Sequence, residues 1–473
     1  MEQSTKRILA IVLIAVIGTG IGIGAWYFLV IPAGEGENPY EYPGYAGEGK
    51  PPLSKTIKVG LLDHTAVYGQ LTYVGMTMSA TEINAAGGVD VGGTPYYIGI
   101  TMEDTKEAFY NYDEALSATL RMIEKDPDIV IGGFRSEVVE TYVPYLMQAG
   151  IPFMTTGCAT TEFCQTNVAS DIWPYFFRIM PQNSENLGLA FMDYLENFLF
   201  PNMTGEGVIL DGATIMYEEL IWTIDLKNML YDFLNATSMV TPGVRLGYAN
   251  VTLKPITPSM GALDFMAYWS GVFGPSGHQL MLPVISDPTL GNYFGMGYNL
   301  TKPNAIVAGI NVAHQLADYL TTTPAMGCQY EISMSGAERV PSGPNQIAFW
   351  DAFKVATGGY DPVYTAIGAY DAIKIIANAT TIAGSTALND LVAGLESFNT
   401  TNWMFGLGRK LAFDENHDVI ATNPDAGLYN FSAPLWCQYN QEGVKHVIPS
   451  GGFYDDNFIP NDMFRWPYWW VLP

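Results

Sequence analysis

The sequence predicts an α/β protein: two successive units, each a mostly parallel sheet wrapped by helices, behind a single N-terminal transmembrane helix. Three observations carry this. Short apolar runs recur every 25 to 35 residues with helix-period stretches between them. The alternation begins afresh after Phe176–Met180. An uncharged apolar run, Ile8 to Val30, precedes everything else.

That run would form a helix roughly 34 Å long, enough to cross a hydrocarbon core. Lys6 and Arg7 stand before it, so the positive-inside tendency leaves residues 1–7 in the cytoplasm and the large remainder outside. A cleaved signal peptide is the alternative, but the run exceeds the usual core of about 7 to 15 residues and no Ala-x-Ala site follows. No cysteine follows it either, which excludes a lipid-modified anchor there. Residues 31–54, dense in Gly, Pro and Glu, read as an extended tether.

Beyond the tether lie seven N-x-Ser/Thr sequons, at Asn202, Asn235, Asn250, Asn299, Asn378, Asn399 and Asn430, consistent with an extracellular glycoprotein. The four cysteines, Cys158, Cys164, Cys328 and Cys437, allow two disulfides and match no zinc spacing. Cys158 and Cys164, five residues apart in between, are expected to pair. Lys plus Arg total 21 against 47 Asp plus Glu, a formal charge of -26. Phosphate backbones and acidic lipid surfaces are repelled by such a field, so nucleic acid is excluded as a partner. With 48% hydrophobic and only 14% charged residues, the 473-residue chain has ample material for a core of two or three domains.

In order, the elements begin with a buried-strand candidate at Ile57–Leu62, then a helix around Gln70–Ala85 that stops at Gly87 and Gly88. Tyr96–Met102, Asp128–Gly133 and Ile151–Thr156 supply further strands of the first unit. In the second, helices from Asn183 and Trp222 alternate with strands at Ala213–Tyr217, near Val244–Leu253, at Leu280–Ser286 and at Ala305–Ile310. Helices at Gln346–Thr357 and Val363–Ala383 follow, then a β-rich tail from Arg409. Within the tail, Asp414–Asp418 has Asp-x-Asn-x-Asp spacing, but Val419 stands where a calcium loop needs Gly, so a solvated hairpin turn is the reading.

Enzyme signatures are missing: there is no G-x-S-x-G, P-loop, H-E-x-x-H or strand-borne G-x-G-x-x-G, and the five histidines are scattered. No catalytic residue, cofactor or metal is implied. What stands out is a pair of strand ends carrying small or hydroxylated residues. One strand runs into Phe134, Arg135 and Ser136 just ahead of a helix; another runs into Gly157, Cys158, Ala159 and Thr160. A helix N-terminus with a hydroxyl beside it offers a carboxylate site, although local sequence alone favours Ser136 as a plain helix cap.

At these residues the chain resembles the branched-chain amino-acid (leucine/isoleucine/valine) substrate-binding proteins of ABC transporters, which have the type I periplasmic binding fold. The resemblance runs from about Ile57 to Val447. It rests on Ile83–Val89 (INAAGGV), Ile131–Ser136 (IGGFRS) and Ile151–Phe163 (IPFMTTGCATTEF), with weaker support from AMGCQYEISM, YTAIGAYDAI and FDENHD in the same order. It implies two lobes joined by a three-segment hinge, residues 55–178 plus about 325–405 in lobe 1 and 179–324 plus about 406–473 in lobe 2, closing on an amino acid for delivery to ABC permease subunits. It also implies that Ser136 and the Gly157, Cys158, Ala159 and Thr160 loop hold the ligand carboxylate, with Phe134 beside them and Tyr68 and Trp222 as aromatic walls. Two positions depart from the pattern. Ala159 stands where a Thr is usual, and Ile310 and Asn311 stand where an acidic residue usually meets the ligand ammonium. Asp287 is the nearest acidic substitute, Asn311 a neutral contact, and Arg135 is expected to be structural or at the rim. A solute-sensing receptor ectodomain or a structural surface protein built on the same fold are the alternatives.

Overall fold

The computed structural model describes residues 38–64, 67–107, 110–237, 250–272, 278–316, 319, 329–336, 338–341, 345–421, 431–432, 434–448 and 464–467. The expected transmembrane run Ile8–Val30 lies outside them; among the described residues no helix is long and apolar enough to cross a membrane. From Tyr40 onward the chain forms one compact unit.

The first sheet contains β1 (Thr56–Asp63), β2 (Val89–Val91), β3 (Thr94–Asp104), β4 (Ile129–Gly132), β5 (Phe153–Thr155) and β6 (Phe176–Arg178), with α1 (Val67–Ala85), α2 (Tyr112–Glu124) and α3 (Ser136–Gln148) between strands. Its order is β2, β3, β1, β4, β5, β6, parallel except for the short β2–β3 hairpin. Helices α4 (Ser184–Tyr194), α5 (Phe200–Gly205), α6 (Ile221–Thr237), α7 (Ala262–Val272) and α8 (Pro288–Thr301) accompany the second sheet. That sheet takes β7 (Leu210–Glu218), β8 (Val251–Ile256), β9 (His278–Ile285), β10 (Ala305–Asn311) and β11 (Ile332–Ser335). After α9 (Gln346–Ala356), α10 (Tyr364–Ala383), α11 (Leu388–Glu396) and a two-strand turn of β12 (Met404–Phe405) and β13 (Lys410–Leu411), the chain adds β14 (Leu435–Tyr439) and β15 (Lys445–Ile448) antiparallel at one edge. The order is β15, β14, β11, β10, β9, β7, β8. β4 and β10 are buried along their whole length, as strands covered on both faces must be.

The chain passes between the sheets three times: after β6, after β11 and between α11 and β14. Ile332–Ser335, assigned from sequence to lobe 1, pairs instead with β10 and β14 in the second sheet. Helix α10 returns to the first sheet, where it lies so close to α1 that a Cβ on Gly75 would stand 2.1 Å from the Ala366 carbonyl oxygen. Two buried ion pairs tie the crossings: Arg178 Nε to Asp418 at 2.9 Å and Arg409 Nη2 to Asp371 at 2.9 Å.

Several local expectations are corrected. From Tyr40 the tether is packed rather than extended: Tyr40 is fully buried, its hydroxyl donates to the Lys125 carbonyl at 2.9 Å, and Glu41 bridges Ile100. The strand expected near Val244–Leu253 starts at Val251. The Asp414–Asp418 turn is only partly solvated: Glu415 is exposed, but His417 and Asp418 are buried, Asp418 being drawn in by Arg178, and Asp414 accepts from Gln165 Nε2 at 3.1 Å. Of the sequons, Asn235 and Asn299 are buried, whereas Asn202, Asn250, Asn378 and Asn399 are exposed and Asn430 lies outside the described residues.

Candidate ligand cleft

In each sheet the first strand pairs with neighbours on both sides, β1 between β3 and β4, and β7 between β8 and β9. The carboxyl ends beside these switch points are where doubly wound sheets leave a crevice. From the first lobe the crevice receives the end of β4. Gly132 and Gly133 turn there with φ of 121° and 78°, and a Cβ on Gly132 would meet the Leu62 carbonyl oxygen at 2.1 Å, so only glycine fits. The turn delivers Phe134 and Arg135 to the mouth, with α3 starting at Ser136 itself.

The amides just ahead of α3 are not vacant. The Phe134 and Arg135 N–H groups each donate to Glu107 Oε2 at 2.7 Å, and Glu107 Oε1 accepts from Thr105 Oγ1 and Tyr142. Burial pushes both Glu107 and neighbouring Asp63 up, Asp63 the more strongly. The four donors around Glu107 hold its carboxyl down against that burial. In the second loop, Thr155 Oγ1 accepts from the N–H groups of Gly157 and Cys158, while Arg178 takes the carbonyls of Cys158 and Thr160. The expected Cys158–Cys164 disulfide does not form. Both thiols are free and buried: Cys158 Sγ lies 3.5 Å from the Gly133 carbonyl, and Cys164 sits on a separate helical turn, Phe163–Val168. Cys437 is likewise free, and Cys328 lies outside the described residues.

The second lobe presents Glu218 at the end of β7 and Ser286 and Asp287 after β9. Glu218 accepts from the Ser286 N–H and Oγ at 2.6 Å each and from the Asp287 N–H at 3.0 Å. Asp287 Oδ1 caps α8 by accepting from Thr289 and Leu290. Arg135 reaches across: Nη1 donates to Ser286 Oγ at 2.8 Å, and Nη2 to Asp287 Oδ2 at 3.1 Å. Glu218 lies 3.9 Å away, and the guanidinium stands 5.0 Å from the Tyr110 ring centre. Only 2% of the Arg135 side chain is exposed. With Glu137 Oε1 also accepting from the Ile221 N–H across the gap at 2.6 Å, the lobes are held closed.

Between them lies a cavity with about 720 Å³ of empty space, its open mouth included. Phe134, Ser136, Gly157, Ala159 and Trp222, named from the sequence as ligand contacts, are among its lining residues. Tyr68 does not; it stacks behind Phe134 with ring centres 5.1 Å apart. Cys158 and Thr160 are buried outside the lining, and Asp287 is engaged as described. Asn311 is also withdrawn, its Nδ2 donating to Tyr319 and to Glu331 Oε1 at 2.9 Å each. Arg135, expected to be structural or at the rim, lines it too, and lining residues that sequence reasoning did not name include Gln182, Ser286, Met334 and Tyr364. Gln182 is only 4% exposed, and neither Nε2 nor Oε1 has a partner. It follows Pro181 in the first crossing segment, where no motif marks it. Among the described residues no cluster of His, Cys, Asp or Glu is placed to hold a metal ion.

Residues 56–197 match the family model described as periplasmic binding protein. A leucine-binding protein of Thermotoga maritima superposes with a TM-score of 0.62 at 14% identity, covering 83% of this chain and 98% of that one. The fold is that of the type I periplasmic binding proteins. A branched-chain amino-acid transporter substrate-binding protein of Streptococcus pneumoniae, in complex with isoleucine, gives 0.62 at 17% identity over 83% and 99% of the two chains. An ABC-transporter solute-binding protein of R. palustris, in complex with benzoate, gives 0.63 at 15% identity over 85% and 99%. No curated protein matches the sequence. In this binding-protein fold the cavity lies between the lobes and against the first and third crossings, which supply Met180, Gln182 and Ser432.

Proposed function

We propose that this chain is the solute-binding component of an ABC importer, held at the outer face of the membrane by Ile8–Val30, and that it passes a small molecule from its cleft to permease subunits. The observation that carries this reading is the cavity itself: both lobes and the crossing segments build it, and Arg135 latches the lobes over it. Its walls are mainly apolar, with Phe134, Leu187, Trp222, Ile310 and Met334, and a few polar groups converge among them. Such a site suits a compact ligand with an apolar body and one hydrogen-bonding end. Opening and closing about the three crossings would then couple capture to release, since contacts divided between lobes favour the closed state.

The structure's relatives hold different solutes, isoleucine in one and benzoate in another. A branched-chain amino acid is the ligand the sequence resemblance suggests. Against it stands the lining, which among the described residues contains no acidic residue to meet an ammonium group. The test is a thermal-shift screen of residues 40–473 against amino acids, amides and small organic acids, because a ligand bound only by the folded state raises Tm by mass action. A solute that raises Tm in proportion to the logarithm of its concentration supports the reading. Stabilisation by none, with strong self-association instead, would favour a structural surface protein.

A further inference from the structure

The cleft leaves one polar group in an unusual state. Gln182 is buried in the cavity wall with both its amide nitrogen and its amide oxygen unpartnered. Among the described lining residues the one other buried side-chain nitrogen or oxygen without a partner is Arg135 Nε. Arg135 is bound to Ser286 and Asp287, and Glu218 accepts three hydrogen bonds. Glu331 accepts from Asn311 and Tyr319.

We infer that the cleft takes a neutral molecule bearing a primary carboxamide on a compact apolar body, and that Gln182 is its specificity-determining contact. The inference rests on the solute-binding reading and names the class of solute. A carboxamide is the reciprocal of Gln182: its carbonyl accepts from Nε2–H while its own N–H donates to Oε1, and the pairing is unchanged if the Gln182 oxygen and nitrogen exchange places. A carboxylate can satisfy Nε2 but turns an anionic oxygen toward Oε1. An amino-acid zwitterion adds an ammonium for which the described lining offers no carboxylate.

The surrounding charges agree. Arg135 is the cation lining the cavity among the described residues, and it already faces Glu218 and Asp287. The amides ahead of α3, which could have drawn an anion, donate to Glu107. An incoming anion therefore finds a cation whose Nη1 and Nη2 are already taken and none of those amides, whereas a neutral amide needs neither. Phe134, Trp222, Leu187, Met180 and Ile310 leave apolar surface for a branched alkyl group or a single ring.

The test is titration calorimetry of the purified full-length chain at pH 7 with benzamide and isobutyramide, their carboxylates benzoate and isobutyrate, and leucine and isoleucine. At least one amide should bind at least tenfold tighter than its carboxylate and than either amino acid. Gln182→Glu, which keeps the acceptors and removes the donor, should weaken that amide tenfold or more, and Gln182→Leu should do the same while melting no lower than the parent. Equal or tighter binding of a carboxylate or an amino acid overturns the inference and leaves the solute-binding reading standing. Amide binding that Gln182→Leu does not disturb overturns it as well. If none of the six binds, the inference fails, and if the broad solute screen is also silent the solute-binding reading fails with it.

Discussion

Arg135 carries a single positive charge from the first lobe across the cleft to Glu218 and Asp287, which stand side by side on the second. Burial pushes the Glu218 carboxyl up while the guanidinium pulls it down, so the pair depends on closure for its partner. Removing one member of a buried ion pair typically costs about 3 to 5 kcal/mol, because the charge left behind stays desolvated. Arg135→Ala should therefore open the lobes: small-angle scattering should show a larger radius of gyration than the parent under the same conditions, and ligand affinity should fall more than a hundredfold. An unchanged scattering curve would remove Arg135 from the latch. Ser136 has a smaller part. Ser136→Ala deletes one neutral hydrogen-bonding group from the lining and should weaken a neutral ligand by about 0.5 to 1.5 kcal/mol, measured by calorimetry. The residues of strand ends were legible in the sequence because small and hydroxylated side chains there are conspicuous. Gln182 was not, because it stands in a crossing segment with no periodicity, and although Arg135 was expected to be structural or at the rim, its partners lie on the other lobe and could not be read from its neighbours in sequence.

At the level of elements, the parallel strands announced themselves as unbroken apolar runs, since burial on both faces erases alternation. β11 escaped because Ile332–Ser335 is four residues long and half of it is serine. The cysteine pairing failed for a related reason: spacing along the chain says nothing of Cα approach once one cysteine lies on its own buried helical turn. What holds the elements in register is the pair of ion pairs at the crossings. Arg178, fully buried, joins Asp418 to the carbonyls of Cys158 and Thr160 and so positions the cleft loop from behind. Arg178→Met should lower stability by about 3 to 5 kcal/mol in chemical denaturation, through the unpaired Asp418. A second substitution at Asp418 to a neutral residue should recover part of it. Additive losses would show that the two do not act as a pair.

For the molecule as a whole, the acidic excess and the buried carboxyls point the same way. Burial raises Asp128 from 3.8 to about 6, and also raises Glu218, Asp371 and Asp414. Such a group keeps its proton to a higher pH when folded than when unfolded. Between about 4 and 6 the folded state thus binds more protons, and stability falls as pH rises through that window. His64 opposes this: burial, helped by Arg135, lowers it from 6.5 to about 4, so its contribution falls as pH drops through that range, and buried His314 acts likewise. The carboxyls outnumber the histidines, and repulsion among the charges of a -26 chain relaxes as acid is added. Tm should be higher at pH 5 than at pH 7.5 in differential scanning calorimetry; a lower Tm at pH 5 would show that the histidines dominate.

The most direct measurement is the stoichiometry and lobe dependence of solute binding. Calorimetric titration with whichever solute most raises Tm should give one molecule per chain, and Trp222→Ala on the second lobe and Gly157→Val on the first should each weaken it at least tenfold, because both residues line the same cavity. Binding that neither substitution weakens, or that persists with more than one site per chain, would place the solute somewhere other than the cleft and contradict a function built on closing it.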